Sequence, residues 1–497
     1  MHKLKDIKKS SIAVAVMLAL GSQGVMAAAV KELSTEAAHK FKDEAITSAD
    51  AGKDGIEMTG NALNPDASLD VSGGSIGVPG VGVSANGTQA GHEITLKGVA
   101  ITAGNGVYGG KGNIVVDASS ISAASTGVDV EGGSADIKNN SSLSGGRYGL
   151  SAQGGAKVDV DSSSIEGVEA LGAAVFVKGD AVVNLSKSDI KGRFKFVRSG
   201  TINLTSGSTA EGGWTGDKGT ISLKNKDTRW KVTSASEIAA DKLAALSVSD
   251  DATLELSDKG VMRTASLDVN KGVLTLGDRT LEADAATLKN ATITGKEGKG
   301  VTHLKGDTFT LSGTSSMRGI AASLKKLKTA DAATVLNAEN VSMTLETMEG
   351  PGTFNLAGKS DVTSSWSKGS KVSLKDKSRW TVSGTAPASA DKLGALSVGG
   401  EAQLDLGMDL RSASLAATGG TINLNDKMLT ADKATLKNAT ITSKKGVLSL
   451  GGTSSMTDTK ATLKTLKTAD AATVLNAENV SMTLGNDGRS GYLQSGR

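Results

Sequence analysis

The segment LKTADAATVLNAENVSMTL occupies residues 327–345 and recurs letter for letter at 466–484. A catalytic site has no use for a verbatim second copy of its surroundings, whereas a building block does. How this segment is read decides the fold. ADAATVLNAEN is rich in good helix formers, but NVSMTL alternates apolar and polar residues as a half-buried strand does. We read the segment as turn and strand, because the residues around it alternate too.

The alternation extends through most of the chain. SLDV, EITLKGVAIT, NIVVD, KVDVD and VVNLS are brief strands separated by Gly, Ser, Asn and Asp. Leu96, Val116, Ile137, Val160, Leu185, Leu204 and Leu223 follow one another at intervals of 20, 21, 23, 25, 19 and 19 residues. Ile101, Ile121, Leu143, Ile165 and Ile190 keep nearly the same beat. A period of about 22 residues with two or three strands in it is the mark of a solenoid. One such turn buries too few aliphatic side chains to offset the cost of ordering its backbone, so turns must stack.

A longer duplication overlies this rhythm. TINLTSGSTAEGGW (201–214) matches TFNLAGKSDVTSSW (353–366), ISLKNKDTRWKV matches VSLKDKSRWTV, and ADKLAALSV matches ADKLGALSV. ATLKNATIT starts at both Ala286 and Ala434, 148 residues apart, while the opening segment repeats after 139. The first copy therefore carries nine extra residues between Thr294 and Met317. Insertions of this kind are expected in loops projecting from a stack.

Composition agrees. A chain of 497 residues is too long for one ordinary core. Aromatics at 3% cannot fill a wide globule, and 63 Gly with 4 Pro suit many tight turns. There is no Cys, which excludes disulfides, thiol catalysis and thiolate metal sites. The 55 Lys and Arg nearly balance the 52 Asp and Glu, with no basic stripe interleaved with aromatics, so no nucleic-acid partner is expected.

The N-terminus reads MHKLKDIKK, then the apolar run IAVAVMLAL at 12–20, then small residues near Ala27 and Ala29. This is the pattern of a cleaved secretory signal, assigned to 1–27. The run is too short to span a bilayer, and no transmembrane segment is expected in the mature chain. In 28–68, Val30, Leu33, Ala37, Phe41 and Ala45 recur at helical spacing. This predicts either a short N-terminal capping helix or a frayed end. The solenoid is then divided into 69–200, a repeat unit at 201–352 and a second at 353–484, followed by an irregular tail at 485–497.

The stretch GTISLKNKDTRWKVTSASEIAADKLAALSVSDDATLEL, and VSMTLETMEGPGTFNL at 341–356, resemble the passenger domains of bacterial autotransporters, the type V secretion family. The resemblance covers about 201–484 and is weaker over 69–200. It implies an all-β fold, a right-handed parallel β-helix, on the cell surface of a Gram-negative bacterium or secreted from it. The function it implies is adhesin-like, in adhesion or aggregation. The partners it implies are host or bacterial surface glycans or proteins, or self-association. The family ends in an outer-membrane translocator barrel of amphipathic strands. This sequence ends GNDGRSGYLQSGR without one, so either the sequence is a truncated product or the translocator is another polypeptide; with no translocator supplied the chain would be periplasmic.

Sites of chemistry are hard to find. GGSIG at 73–77 fits the nucleophile-elbow spacing and GNGVYG at 104–109 a dinucleotide loop, but neither precedes a helical pattern. His39, His92 and His303 lack metal-ligand spacing. VDVD places Asp159 and Asp161 on the solvent face of one strand, and VDVE does the same with Asp129 and Glu131. Such pairs serve acid–base chemistry or Ca²⁺ binding, or simply solvate an outer wall; we take the last reading and keep the four as ligand-facing candidates. The Trp pairs 214/230 and 366/380 recur with the repeat and are read as structural, with Arg229 or Arg379 lying against a ring. No enzyme, cofactor or metal is expected. The alternatives are a polysaccharide-acting lyase or hydrolase on the same scaffold, and a structural spacer for a missing functional domain.

Overall fold

The computed structural model describes residues 31–33, 38–50, 52–59, 67–86, 91–168, 172–216, 218–233, 241–257, 260–295, 303–384, 391–486 and 489–494. The leader assigned to 1–27 lies outside them. The described chain is all-β, a parallel β-solenoid of about 18 turns. Where all of its residues are described, a turn crosses three walls in the order I, II, III. Wall I carries Glu93–Lys97, Asn113–Asp117, Ser134–Lys138, Lys157–Asp161, Val182–Ser186, Thr201–Thr205 and Thr220–Lys224. Wall II carries Ser120–Ala123, Ser142–Gly145, Ser164–Gly167, Asp189–Lys191, Thr209–Glu211 and Arg229–Val232. Wall III carries Thr126–Glu131, Tyr148–Gln153, Ala173–Lys178, Arg193–Val197 and Trp214–Thr215.

The two periodic rows are lateral neighbours. Leu96 pairs with Val116, and the register continues through Ile137, Val160, Leu185 and Leu204 to Leu223. Ile101 pairs with Ile121, then Leu143, Ile165 and Ile190. All of these side chains are buried, and they form one continuous core along the lumen. Alternation does the rest: in Lys157–Asp161, Val158 and Val160 point inward while the flanking residues face out.

Between walls I and II the chain bends through a left-handed residue followed by a small hydroxylic one. Ala118 (φ 48°), Ser162 (φ 49°) and Lys187 (φ 49°) precede the buried Ser119, Ser163 and Ser188. These hydroxyls accept hydrogen bonds from the rung before: Val99 N–H to Ser119 Oγ at 3.0 Å, and Ser163 N–H to Ser188 Oγ at 3.3 Å. Corner amides that the ladders miss are satisfied in this way.

The duplicated nineteen residues are strand–turn–strand in both places. Val335–Glu339 and Val474–Glu478 lie on wall II, while Ser342–Glu349 and Ser481–Asn486 lie on or start on wall III. The rest of the duplication is not superposed in this way. Thr201–Thr205 and Leu243–Ser249 lie on wall I, but their counterparts Thr353–Ala357 and Ala395–Gly399 lie on wall II. The second copy is thus turned by one wall. The nine extra residues account for the difference. Residues 296–302 lie outside the described residues, but Leu304–Ser312 is a strand of the stack, paired to Arg279–Lys289 and Ala321–Thr329. It crosses walls III and I, whereas Val447–Leu450 at the matching point of the second copy crosses wall I alone. The expected projecting loop is in part an added wall, which restores phase before the shared nineteen residues.

Two further expectations are corrected. In place of a capping helix, Lys31–Leu33, Ala38–Lys42 and Ala45–Thr47 are strands. Ala38–Lys42 pairs in parallel with Ser68–Ser72, setting Phe41 beside Val71 in the lumen; covering the next rung outweighs the local helical period. In the tail, Arg489–Gln494 returns antiparallel along Ser481–Asn486.

The four Trp are buried at 0–3% exposure, inside the lumen. Phe194 lies 5.4 Å from Trp230, so aromatics here fill a bore that is otherwise mostly aliphatic. Arg229 and Arg379 do not use these rings. They pair with Glu255 and Asp405 on the following rung, the latter at 2.5 Å from Nε.

The repeated segment gives a built-in test of stacking. Leu336 is 0% exposed between two flanking strands, whereas Leu475 is only partly buried and its strand pairs, among the described residues, with Thr453–Thr457. We predict that Leu336→Ala lowers unfolding free energy by about 2–5 kcal/mol and Leu475→Ala by less than half as much. Urea unfolding of both variants checks this; equal losses would contradict it.

Candidate functional site

Outward-facing residues form rows at the rung spacing, as the lumen residues do. Asp159 and Asp161 stand on wall I. Asp159 is exposed, beside Asp136 of the preceding rung, and Oδ1 accepts a 2.7 Å hydrogen bond from Asn184 Nδ2. Asn184 in turn accepts from Asn203 at 2.8 Å, giving a ladder of amides along the wall. Asp136 is held by Lys138 at 2.6 Å, which relieves its repulsion with Asp159. Asp161 is half-buried, and its Oδ2 accepts from the Ser162 hydroxyl at 3.0 Å.

Asp129 and Glu131 stand on wall III, so the two candidate pairs belong to different faces of the rod and build no common site. The row through Asp129 runs Tyr108, Asp129, Ser151, Phe176, Lys195. Glu131 accepts a hydrogen bond from the Tyr108 hydroxyl at 2.9 Å, and Gln153 Nε2 donates to Asp129 and to Ser151 at 3.2 Å each. Burial, and then the bond to Glu131, push the Tyr108 phenol up to about 12. Higher on the same wall Tyr148 stacks on Phe176 with centroids 4.5 Å apart, in a small cluster separate from the lumen core. The Arg147 guanidinium and the Lys195 ammonium lie 5.0 and 5.7 Å from the Tyr148 ring centre. Both aromatics are more than nine-tenths buried, so the cluster acts as a buttress and leaves little ring face for a ligand.

A shallow cleft of about 360 Å³ lies at the corner between walls III and I over four rungs. Glu282, Asp284, Asp307 and Glu346 approach it together with Lys305 and Lys325. Most of these carboxylates are engaged: Glu282 by Arg263 at 3.4 Å and Lys305 at 3.8 Å, Asp284 by Lys242 at 2.5 Å, and Asp307 by Lys325 at 2.8 Å. The second copy repeats one of these links, between Lys392 and Asp432. Sequence reasoning missed this cleft and, apart from Asp129, the wall III row. The signal was present, since Tyr108, Asp129, Ser151, Phe176 and Lys195 recur at the lumen period, one position from the buried residues.

The two catalytic look-alikes are wall and turn. Residues 73–77 lead into the strand Ser75–Asn86, with Gly74 at φ 74°, where a Cβ would meet the Glu44 carbonyl at 2.0 Å. Residues 104–109 mostly continue the strand Ala100–Tyr108. Among the described residues no three or more His, Asp and Glu gather to hold a metal ion, and no helix is long and apolar enough to cross a membrane.

His303 is buried at a corner. Its Nδ1 accepts the Ala321 N–H at 2.9 Å, so the ring proton sits on Nε2, and the ring also bonds the Gly277 backbone. Burial lowers its pKa, against smaller opposing effects of Gly277 and Asp278.

Compared with known proteins, the chain matches no family model, no curated protein and no solved structure.

Because the folded-state pKa of His303 lies below the unfolded value of about 6.5, unfolded chains bind the proton first as pH falls. Its stabilising contribution is complete above that value and is lost on acidification toward the folded pKa. We predict that urea midpoints fall more between neutral pH and pH about 5 in the wild type than in His303→Gln, which keeps an acceptor and a donor. Equal falls would contradict the assignment.

Proposed function

We propose that the chain is an autotransporter-type passenger, exported through the leader at 1–27 and carried to the surface of a Gram-negative bacterium. There it acts in adhesion or aggregation through its side walls. The supporting observation is the outer surface of the stack. Polar side chains repeat on it rung after rung, as in Asp159–Asn184–Asn203 on wall I and Asn337–Asn355 on wall II, where Asn355 Nδ2 donates at 2.9 Å. A rod of this kind offers many weak, regularly spaced contacts, which together give avidity. Its partners would be surface glycans, surface proteins or further copies of the chain, together with a translocator barrel.

A second reading is favoured by the cleft at Glu282, Asp307 and Glu346: a polysaccharide-acting enzyme on the same scaffold.

Both readings are tested with residues 28–497, as purified protein and fused to a translocator barrel on a non-adherent bacterium. The adhesive reading predicts that displaying cells sediment together or attach to host cells, and that purified protein competes. Display without either effect would refute it. New glycan chain ends produced by the purified protein, and lost in Glu346→Gln, would favour the enzyme.

A further inference from the structure

The duplicated unit keeps one stretch of wall unchanged and differs in the residues on either side of it. ATLKNATIT is identical in both copies, but it is followed by GKEG at 295–298 in the first and SKKG at 443–446 in the second. One rung earlier, Asp278-Arg279 is matched by Asp426-Lys427. Arg279 is fully buried, whereas the Lys427 side chain is one-third exposed. A wall under packing constraint tolerates little change, while a corner is free to take on a binding role.

In the second copy this corner joins walls III and I. Thr421–Asn423 and Thr440–Thr442 lie on wall III, and Met428–Ala431 and Val447–Leu450 on wall I. Lys427, then Lys444 and Lys445, then Lys464 stand on three successive rungs. Lys464 is placed over the turn by its N–H, which donates to the Gly446 carbonyl at 3.1 Å. Rungs are about 4.8 Å apart, so the lysines cover about 10 Å along the axis. Two acidic residues stand at this corner: Asp426 is held by Lys427 at 3.0 Å, and Asp409, one rung earlier, accepts the Met428 N–H at 2.8 Å. Lys427 and, more weakly, Lys445 keep the Asp426 carboxyl below its usual range. Lys444, Lys445 and Lys464 are exposed and make no ion pair among the described residues.

The turn is firmly built. Ser443 is buried; its hydroxyl donates to the Asn425 carbonyl and accepts from the Lys445 and Gly446 N–H groups at 3.1 and 2.5 Å. The lysines therefore project from a fixed backbone. Beside them is an open depression of about 650 Å³, edged by Asn423, Asn425, Thr442 and Thr462 and by Asp426, whose charge Lys427 offsets. Cations over a floor of hydroxyl and amide groups suit a ligand bearing both anionic groups and hydroxyls, repeated along a chain. The depression has no aromatic lining, so it offers no stacking platform for nucleic-acid bases.

We propose that the Lys427–Lys444–Lys445–Lys464 corner is a binding site for an acidic polysaccharide carrying sulfate or carboxylate groups. The inference rests on the adhesive reading only for a cell or matrix surface as the source of that glycan. Binding by the purified rod is independent of it.

The test uses residues 28–497 with dextran sulfate, polygalacturonate, uncharged dextran and a short DNA duplex, titrated at low and moderate salt, with folding checked by circular dichroism. We expect binding to dextran sulfate, polygalacturonate or both, with the pair separating sulfate from carboxylate recognition, and none to dextran. We expect K444E/K445E to weaken it by about tenfold or more, and K97E/K111E, an equal charge change on exposed lysines far from the corner, to alter it less than about twofold. Failure of the folded rod to bind either polyanion, equal weakening by the control, or tighter binding of the duplex would overturn the proposal. Glycan binding without cell adhesion would remove the adhesive reading and leave this site standing.

Discussion

Everything in this molecule depends on a rung being covered by its neighbours. A single turn has two bare edges of backbone and an open slice of lumen, and its few aliphatic side chains cannot offset the cost of ordering it. Parallel stacking answers both needs at once. Each strand gives its hydrogen bonds along the axis, and each inward Leu, Ile or Val lies on the one before, as in the unbroken register from Leu96 to Leu223. Stability is then local and nearly additive along the rod, so identical sequence is worth different amounts at Leu336 and Leu475. The same constraint overrides local preference at the N-terminal side, where a segment with helical spacing is drawn into strands over Ser68–Ser72.

The corners carry the other half of the load. A wall is straight and cannot turn itself, and the left-handed residues at the I–II bend make the change of direction. The buried Ser that follows closes the hydrogen-bond account of the rung before. The two copies of the unit diverge at corners as well as in parts of their walls. A buried Arg279 gives way to a half-buried Lys427, and GKEG to SKKG, while ATLKNATIT between them stays the same. Structure is held by the walls, and binding chemistry is free to vary at the bends.

Much of the fold was legible because it is written in a repeating distance. The two lumen rows followed from spacing alone, and strands such as Asn113–Asp117 and Lys157–Asp161 from alternation. Which wall a strand occupies was not legible, since alternation distinguishes inside from outside but says nothing of direction around the axis. Asp129/Glu131 and Asp159/Asp161 therefore look equivalent in sequence and face different ways in space. The rotation of the second copy was hidden for the same reason: nine residues count as an insertion in one dimension and as an extra wall in three. The charged cleft at Glu282 and Glu346 assembles from four rungs and has no local motif to announce it.

The most direct test of the stacking account is a set of distances along one row. The chain has no Cys, so paired cysteines can be spin-labelled without background. Asp136, Ser222, Ser247 and Asp268 all face outward on wall I, with Ser222, Ser247 and Asp268 four, five and six rungs beyond Asp136. With one label at Asp136→Cys and the second moved along this series, the account predicts separations of about 19, 24 and 29 Å, rising by one rung each time. Distances that fail to grow in even steps, or that spread into broad unrelated values, would contradict it.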